Sequence, residues 1–132
     1  MFQLQGIDHV ALAVRDVGRT AQWFMDVLGF EHRHPGVWDG VPMFIGKGDT
    51  ALALFPARDN AREPSSRAAH IGMLHLAFRA TRQEFEDAQR ELKARGIEFH
   101  FSDHQISHSI YFDDPDGNQL EITTYDFSGS RP

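Results

Sequence analysis

An internal repeat limits how this chain can fold more than any other feature of its sequence. Ile7 to Val14 alternates bulky Val10, Leu12 and Val14 with Ile7, His9, Ala11 and Ala13, the period of a strand with two different faces. A helix follows, opened by Asp16 as N-cap, striped with Ala21, Phe24, Val27 and Leu28, and closed at Gly29. Short strands are then expected over roughly Phe30–His34, Val41–Gly46 and Thr50–Phe55. The same order returns from Met73. A strand to Phe78 sets Leu74, Leu76 and Phe78 against Met73, His75 and Ala77, and a helix begins at the capping-box pair Thr81 and Glu84. Phe85, Ala88 and Leu92 line that helix, Gly96 ends it, and strands follow near Phe99–Phe101, Ser109–Asp113 and Gln119–Tyr125. Even the exits agree, Gly29-Phe30-Glu31 against Gly96-Ile97-Glu98. A unit stated twice predicts an α+β fold of two βαβββ modules, whose mixed sheets curl into a cup with the helices outside.

With 132 residues the chain has the length of one domain: module 1 over about 5–56, a linker over about 57–70 and module 2 over about 71–127. The linker is rich in Ala, Arg, Ser and Pro, without sustained periodicity, and holds the basic cluster Arg58, Arg62 and Arg67. A net charge of −6 is the wrong sign for a protein that binds by neutralising phosphates, so no nucleic-acid partner is expected. The chain opens without a basic signal-peptide region and has no apolar run of membrane-spanning length, from which a cytoplasmic protein with no membrane partner is expected. The absence of cysteine removes disulfides, thiolate nucleophiles and thiolate metal sites. Any metal must therefore rest on His, Asp or Glu.

Alternation assigns His9, His75 and Glu121 to the faces opposite the bulky residues of their own strands, with small Ala11 and Ala77 beside the two histidines. Two imidazoles and one carboxylate make a borderline donor set with open positions, suited to Fe(II), Mn(II), Ni(II), Co(II) or Zn(II). His32 and His34 form a competing pair without a carboxylate at matching register, and His100, His104 and His108 lie together in one stretch. Asp114-Pro115-Asp116-Gly117-Asn118 reads as a tight turn that sets Tyr111 and Glu121 on antiparallel neighbours.

Ile7-Asp8-His9-Val10, Leu74-His75-Leu76 and the run from Ser109 through Tyr111-Phe112-Asp113-Asp114-Pro115-Asp116-Gly117-Asn118 to Glu121 resemble the vicinal oxygen chelate superfamily over nearly the whole chain. That superfamily includes glyoxalase I, methylmalonyl-CoA epimerase, extradiol dioxygenases, fosfomycin-resistance enzymes and metal-free bleomycin-binding proteins. The resemblance implies His9, His75 and Glu121 as ligands to a divalent metal that holds two adjacent substrate oxygens. It also implies a homodimer, with the site formed within one chain or across two.

Glyoxalase I and the epimerase carry a further Glu on the last strand of the first module. Strand phase places Ala53, or Leu52 if the register slips, at that point. The resemblance therefore favours an extradiol-type dioxygenase using Fe(II), with Tyr111 and Ser109 contacting substrate and His104 or His108 as acid and base. The alternatives are thiol or water addition to an epoxide, as in fosfomycin resistance with Mn(II), a glyoxalase-like lyase, and a metal-free antibiotic-binding protein in which Trp23 and Trp38 line a groove.

Overall fold

In a computed structural model of the protein, residues 1–62 and 73–126 are described. The chain divides at Arg62 into two compact units. The expected linker and its Arg67 lie outside the described residues from 63 onward, whereas Arg58 and Arg62 are exposed.

Unit 1 runs β1 (Val10–Val14), α1 (Val17–Leu28), β2 (Glu31–Arg33), a short 3-10 turn (Trp38–Gly40), β3 (Met43–Lys47) and β4 (Thr50–Pro56). Unit 2 repeats the order as β5 (Leu76–Arg79), α2 (Arg82–Ala94), β6 (His100–Asp103), β7 (His108–Asp113) and β8 (Gln119–Thr124). Each forms a four-stranded mixed sheet, β1-β4-β3-β2 in one and β5-β8-β7-β6 in the other, so the α+β class and the two βαβββ modules are both present. In each sheet the first strand pairs in parallel with the last, and the remaining pairs are antiparallel.

Both helices start and stop where the sequence places them. Asp16 accepts from the Arg19 amide at 3.0 Å, and Gly29 closes α1 with a left-handed φ of 73°. On α2 the capping box is complete: Thr81 Oγ1 accepts from the Glu84 amide at 3.2 Å while the Glu84 carboxylate accepts from the Thr81 amide at 2.8 Å. Thr20, Ala21 and Phe24 bury one side of α1, and Phe85 and Leu92 one side of α2. The sheet residues that complete the two cores are Val14, Ile45, Leu52 and Leu54 in unit 1 and Ile110, Phe112, Leu120 and Ile122 in unit 2.

Strand ends differ from expectation at the start of each unit. β1 begins at Val10 rather than Ile7, and β5 at Leu76 rather than Met73. Alternation describes which way side chains point, but a ladder also needs a partner, and pairing opens at Val10 opposite Leu52 and at Leu76 opposite Leu120. His9 and His75 consequently occupy the same place in the two units, one residue ahead of the first strand.

Candidate functional site

One face of the unit 2 sheet gathers most of the chemistry. β7 and β8 pair Tyr111 with Glu121 and Ser109 with Thr123, so these four side chains share the face turned away from α2. The loop that fixes this register is built around Asp114. Its Oδ1 accepts from the amides of Asp116 and Asn118, both at 2.9 Å, and its Oδ2 accepts from the Asn118 side chain at 2.9 Å. Gly117 supplies the positive φ of 85° that the turn requires. Burial raises the Asp114 pKa above its usual value, and the three accepted hydrogen bonds only partly offset the shift.

Glu121 is 7% exposed, and both of its oxygens are engaged. Oε2 accepts from Ser109 Oγ at 2.6 Å, while Oε1 stands 2.9 Å from Nε2 of His75. Ser109 Oγ is also 3.0 Å from Thr123 Oγ1, which in turn donates to the His108 carbonyl. The Ser109 hydroxyl locks the carboxylate's orientation, the supporting role that outer hydrogen bonds take around metal ligands.

Tyr111 stands beside this pair, its ring edge-on to the His75 imidazole at 5.6 Å between centroids. Its hydroxyl lies 3.0 Å from His104 Nε2. Burial, and then the neighbouring negative Glu121, raise the Tyr111 pKa above its ordinary value of 10.0, so the phenol is protonated at neutral pH. His104 is exposed, which opens a path from the phenol to bulk water.

The other histidines fall elsewhere. His108 lies on the opposite face, with its ring 5.3 Å from Phe101, 3.4 Å from an Arg82 guanidinium nitrogen and 3.7 Å from Asp103. The expectation that made it interchangeable with His104 has a visible physical conflict, because 108 has the strand parity opposite to 109 and 111. His100 is exposed on the Tyr111 face, directly opposite that residue across β6 and β7. His32 pairs with Ile45 and His34 lies beyond the end of β2, so this pair is not presented from one strand.

Unit 1 presents the corresponding face with different chemistry. His9 Nδ1 is 2.8 Å from Asp8 Oδ2, and its ring meets Phe44 edge-on at 5.3 Å. Phe44 pairs with Ala53, which pairs with Ala11. Since Tyr111 pairs with Glu121 and Glu121 with Ala77, Phe44 and Ala53 stand at the positions of Tyr111 and Glu121. The strand count that made Ala53, rather than Leu52, the unit 1 equivalent of Glu121 therefore matches the observed register. His34 and Trp38 pack against Phe44 at 5.5 and 5.7 Å, a ring cluster whose two members the sequence reading names separately, His34 with His32 and Trp38 with Trp23, without bringing them together.

Whether these residues suit a metal is a question of donor spacing. Two ligand atoms bound cis to one ion at about 2.1 Å stand about 3.0 Å apart. The His75 and Glu121 donor atoms have that separation, and the second carboxylate oxygen is held by the Ser109 hydroxyl. The pair fits two adjacent positions of a divalent ion. Among the described residues no three His, Asp or Glu side chains are grouped to hold one.

The Glyoxalase/Bleomycin resistance protein/Dioxygenase superfamily model matches residues 6–122. Glutathione transferase FosA of Serratia marcescens is 28% identical over 122 residues, 90% of this chain and 80% of that protein. Biphenyl-2,3-diol 1,2-dioxygenase 3 of Rhodococcus globerulus is 29% identical over 91% of this chain, but over only 63% of its own length. Among solved structures, a glyoxalase/dioxygenase from Nostoc punctiforme superposes with a TM-score of 0.76 at 25% identity, covering 91% of this chain and 90% of its own. Repeat, register, metal-compatible donor pair and family model agree: the chain belongs to the Glyoxalase/Bleomycin resistance protein/Dioxygenase superfamily.

Proposed function

We propose that this protein is a divalent-metal-dependent enzyme that grips a small substrate by two adjacent oxygens, and that its reaction is extradiol-type cleavage of a catechol by dioxygen. The observation that carries the reading is the Tyr111–His104 hydrogen bond, on the same sheet face as the His75–Glu121 pair. Fe(II) is the metal of this reading. His75 and Glu121 would hold it, with His9 as the third donor, contributed within one chain or by a second copy. Asp8 on His9 Nδ1 leaves Nε2 to serve as that donor, the arrangement in which a carboxylate fixes a ligand imidazole. When bound, the ion stabilises negative charge on the substrate's two oxygens.

The chain's own groups do the rest. Tyr111, kept protonated by burial and by Glu121, donates its phenolic hydrogen bond to a substrate oxygen. His104, exposed and 3.0 Å from the phenolic oxygen, is placed to exchange that proton with water. Ser109 keeps the carboxylate aimed and contacts substrate only through it. The His104 position favours it over His108 as the acid and base.

Anaerobic Fe(II) loading followed by oxygen-uptake measurement with a panel of catechols tests this. Stoichiometric uptake with ring-opened product supports it, and no uptake with any member sinks it. A second reading, thiol addition to an epoxide under Mn(II), is favoured by the match to FosA over 80% of that protein's length. Fosfomycin with glutathione under Mn(II) tests it directly. A lyase of the glyoxalase I type is disfavoured by Ala53, which offers no carboxylate where a fourth ligand and base would stand.

A further inference from the structure

Arg33 closes β2 on the face that carries Phe44, its direct partner across the sheet. Its guanidinium lies flat over Gly46: a Cβ added there would come within 2.5 Å of Arg33 Cζ and Nη1 and 2.7 Å of Nε. Gly46 sits inside β3 with ordinary strand backbone, where glycine weakens a strand and no left-handed φ demands it. Close approach of the guanidinium is the reason for a glycine at this point. Nη2 donates to the Gly48 carbonyl at 2.9 Å, which fixes the plane of the group.

Among the described residues no carboxylate pairs with Arg33. A positioned guanidinium with most of its five donors uncommitted is a ready bidentate partner for an oxyanion. Its place adds direction. Phe44 touches the His9 imidazole on one side and stands opposite Arg33 on the other, with His34 and Trp38 packed against the same ring. A ligand body lying on Phe44 would thus have the imidazole at one end and the guanidinium at the other.

His34, Trp38 and Asp39 have φ of 52°, 60° and 52°, left-handed values that non-glycine residues adopt at a cost and that concentrate at ligand-binding loops. We infer that Arg33, seated on Gly46, is a specificity residue that binds a carboxylate or phosphonate at the far end of an aromatic ligand lying on Phe44. The catechol form of the ligand rests on the function proposed above, but the anion site does not.

The test is calorimetric binding to the Fe(II)-loaded protein under anaerobic conditions, with 3,4-dihydroxybenzoate, neutral 4-methylcatechol and phenylphosphonate as probes. At least one anionic probe should bind about tenfold or more tightly than 4-methylcatechol, as a bidentate charge-assisted pair provides. Arg33→Gln should remove that preference without changing 4-methylcatechol affinity, and Arg33→Lys should keep only part of it. Gly46→Ala, which displaces the guanidinium while retaining its charge, should reduce the preference as well. Equal affinity for anionic and neutral probes, no binding of any probe, or a preference that survives Arg33→Gln overturns the inference. Arg33-dependent binding without oxygen uptake would leave the anion site standing and remove the dioxygenase reading. The anionic probe that binds distinguishes carboxylate from phosphonate.

Discussion

The two units are one scaffold carrying two sets of side chains. His9 and His75 stand at matching places, but the pair Tyr111 and Glu121 in unit 2 becomes Phe44 and Ala53 in unit 1. One substitution removes a hydroxyl, the other a carboxylate, and the strands keep their register. The comparison teaches that strand order and pairing are set by the helix-facing residues, Leu52, Leu54 and Ile45 in one unit and Leu120, Ile122 and Phe112 in the other. The opposite face is free to diverge, towards chemistry in unit 2 and towards an aromatic surface with a fixed cation in unit 1.

The contrast breaks most severely at the carboxylate. Glu121→Ala makes unit 2 resemble unit 1, and with His75→Ala it should abolish stoichiometric metal binding and lower activity about 10³-fold or more. The far-UV circular dichroism spectrum should stay unchanged, because the helix-facing core is untouched. Metal content after gel filtration without chelator is the measurement, and full content in either variant removes that residue from the ligand set.

Next comes the phenol. Tyr111→Phe, again the unit 1 residue, should lower kcat about 100-fold with metal content retained, the scale of a lost proton-transfer or hydrogen-bonding group. His104→Ala should cost about tenfold, because water replaces part of its role, whereas His108→Ala on the other face should leave kcat nearly unchanged. A His108 effect equal to that of His104 would overturn their assignment to different roles.

The β7–β8 loop gives a smaller, structural contrast. Asp114→Ala strands three donors and should destabilise the protein by about 2–3 kcal/mol, read from urea denaturation. The pH dependence has a definite sign. Burial raises the Asp114 pKa above its usual 3.8, so its contribution is fully present below the unfolded-chain value and lost as pH rises through the folded one. Asp114→Asn keeps the Oδ1 acceptor and cannot ionise. Its stability relative to the parent should therefore improve as pH rises from about 3 to about 7, and a gap that stays flat would contradict the assignment.

The smallest effects are at the helix starts. Thr81→Ala dismantles a reciprocal cap on α2 and should cost about 1 kcal/mol or slightly more, against somewhat less for Asp16→Ala at the single cap of α1. Thermal unfolding of the two variants compares them.

Repeat, caps and helix faces were legible in the sequence because each rests on local chemistry: Asp16 and Thr81 show their acceptors, Gly29 and Gly96 their positive φ, and Phe24 and Phe85 their period. The Tyr111–Glu121 pairing was legible through the turn between them. The His104–Tyr111 contact was not, since it depends on the β6–β7 register that opposes Ser102 to Ser109 and turns through 104–107. Its rival His108 was separable by alternation alone, from the known faces of 109 and 111. Arg33 was hidden for a different reason. Its meaning comes from a glycine on the neighbouring strand, and a glycine inside a run such as Met43–Lys47 reads as a turn signal until the pairing is seen.

The Asp114 loop has an evolutionary consequence. Because neighbouring positions on β8 point to opposite sides, losing or gaining one residue between Asp113 and Gln119 would rotate Glu121 into the oily layer under α2 and expose Leu120 in its stead. Point changes across the diverging face leave the strand register intact, whereas an indel of that length withdraws the carboxylate from the site. Descendants with new substrates should therefore vary in what the sheet displays and hold the spacing of this one loop constant.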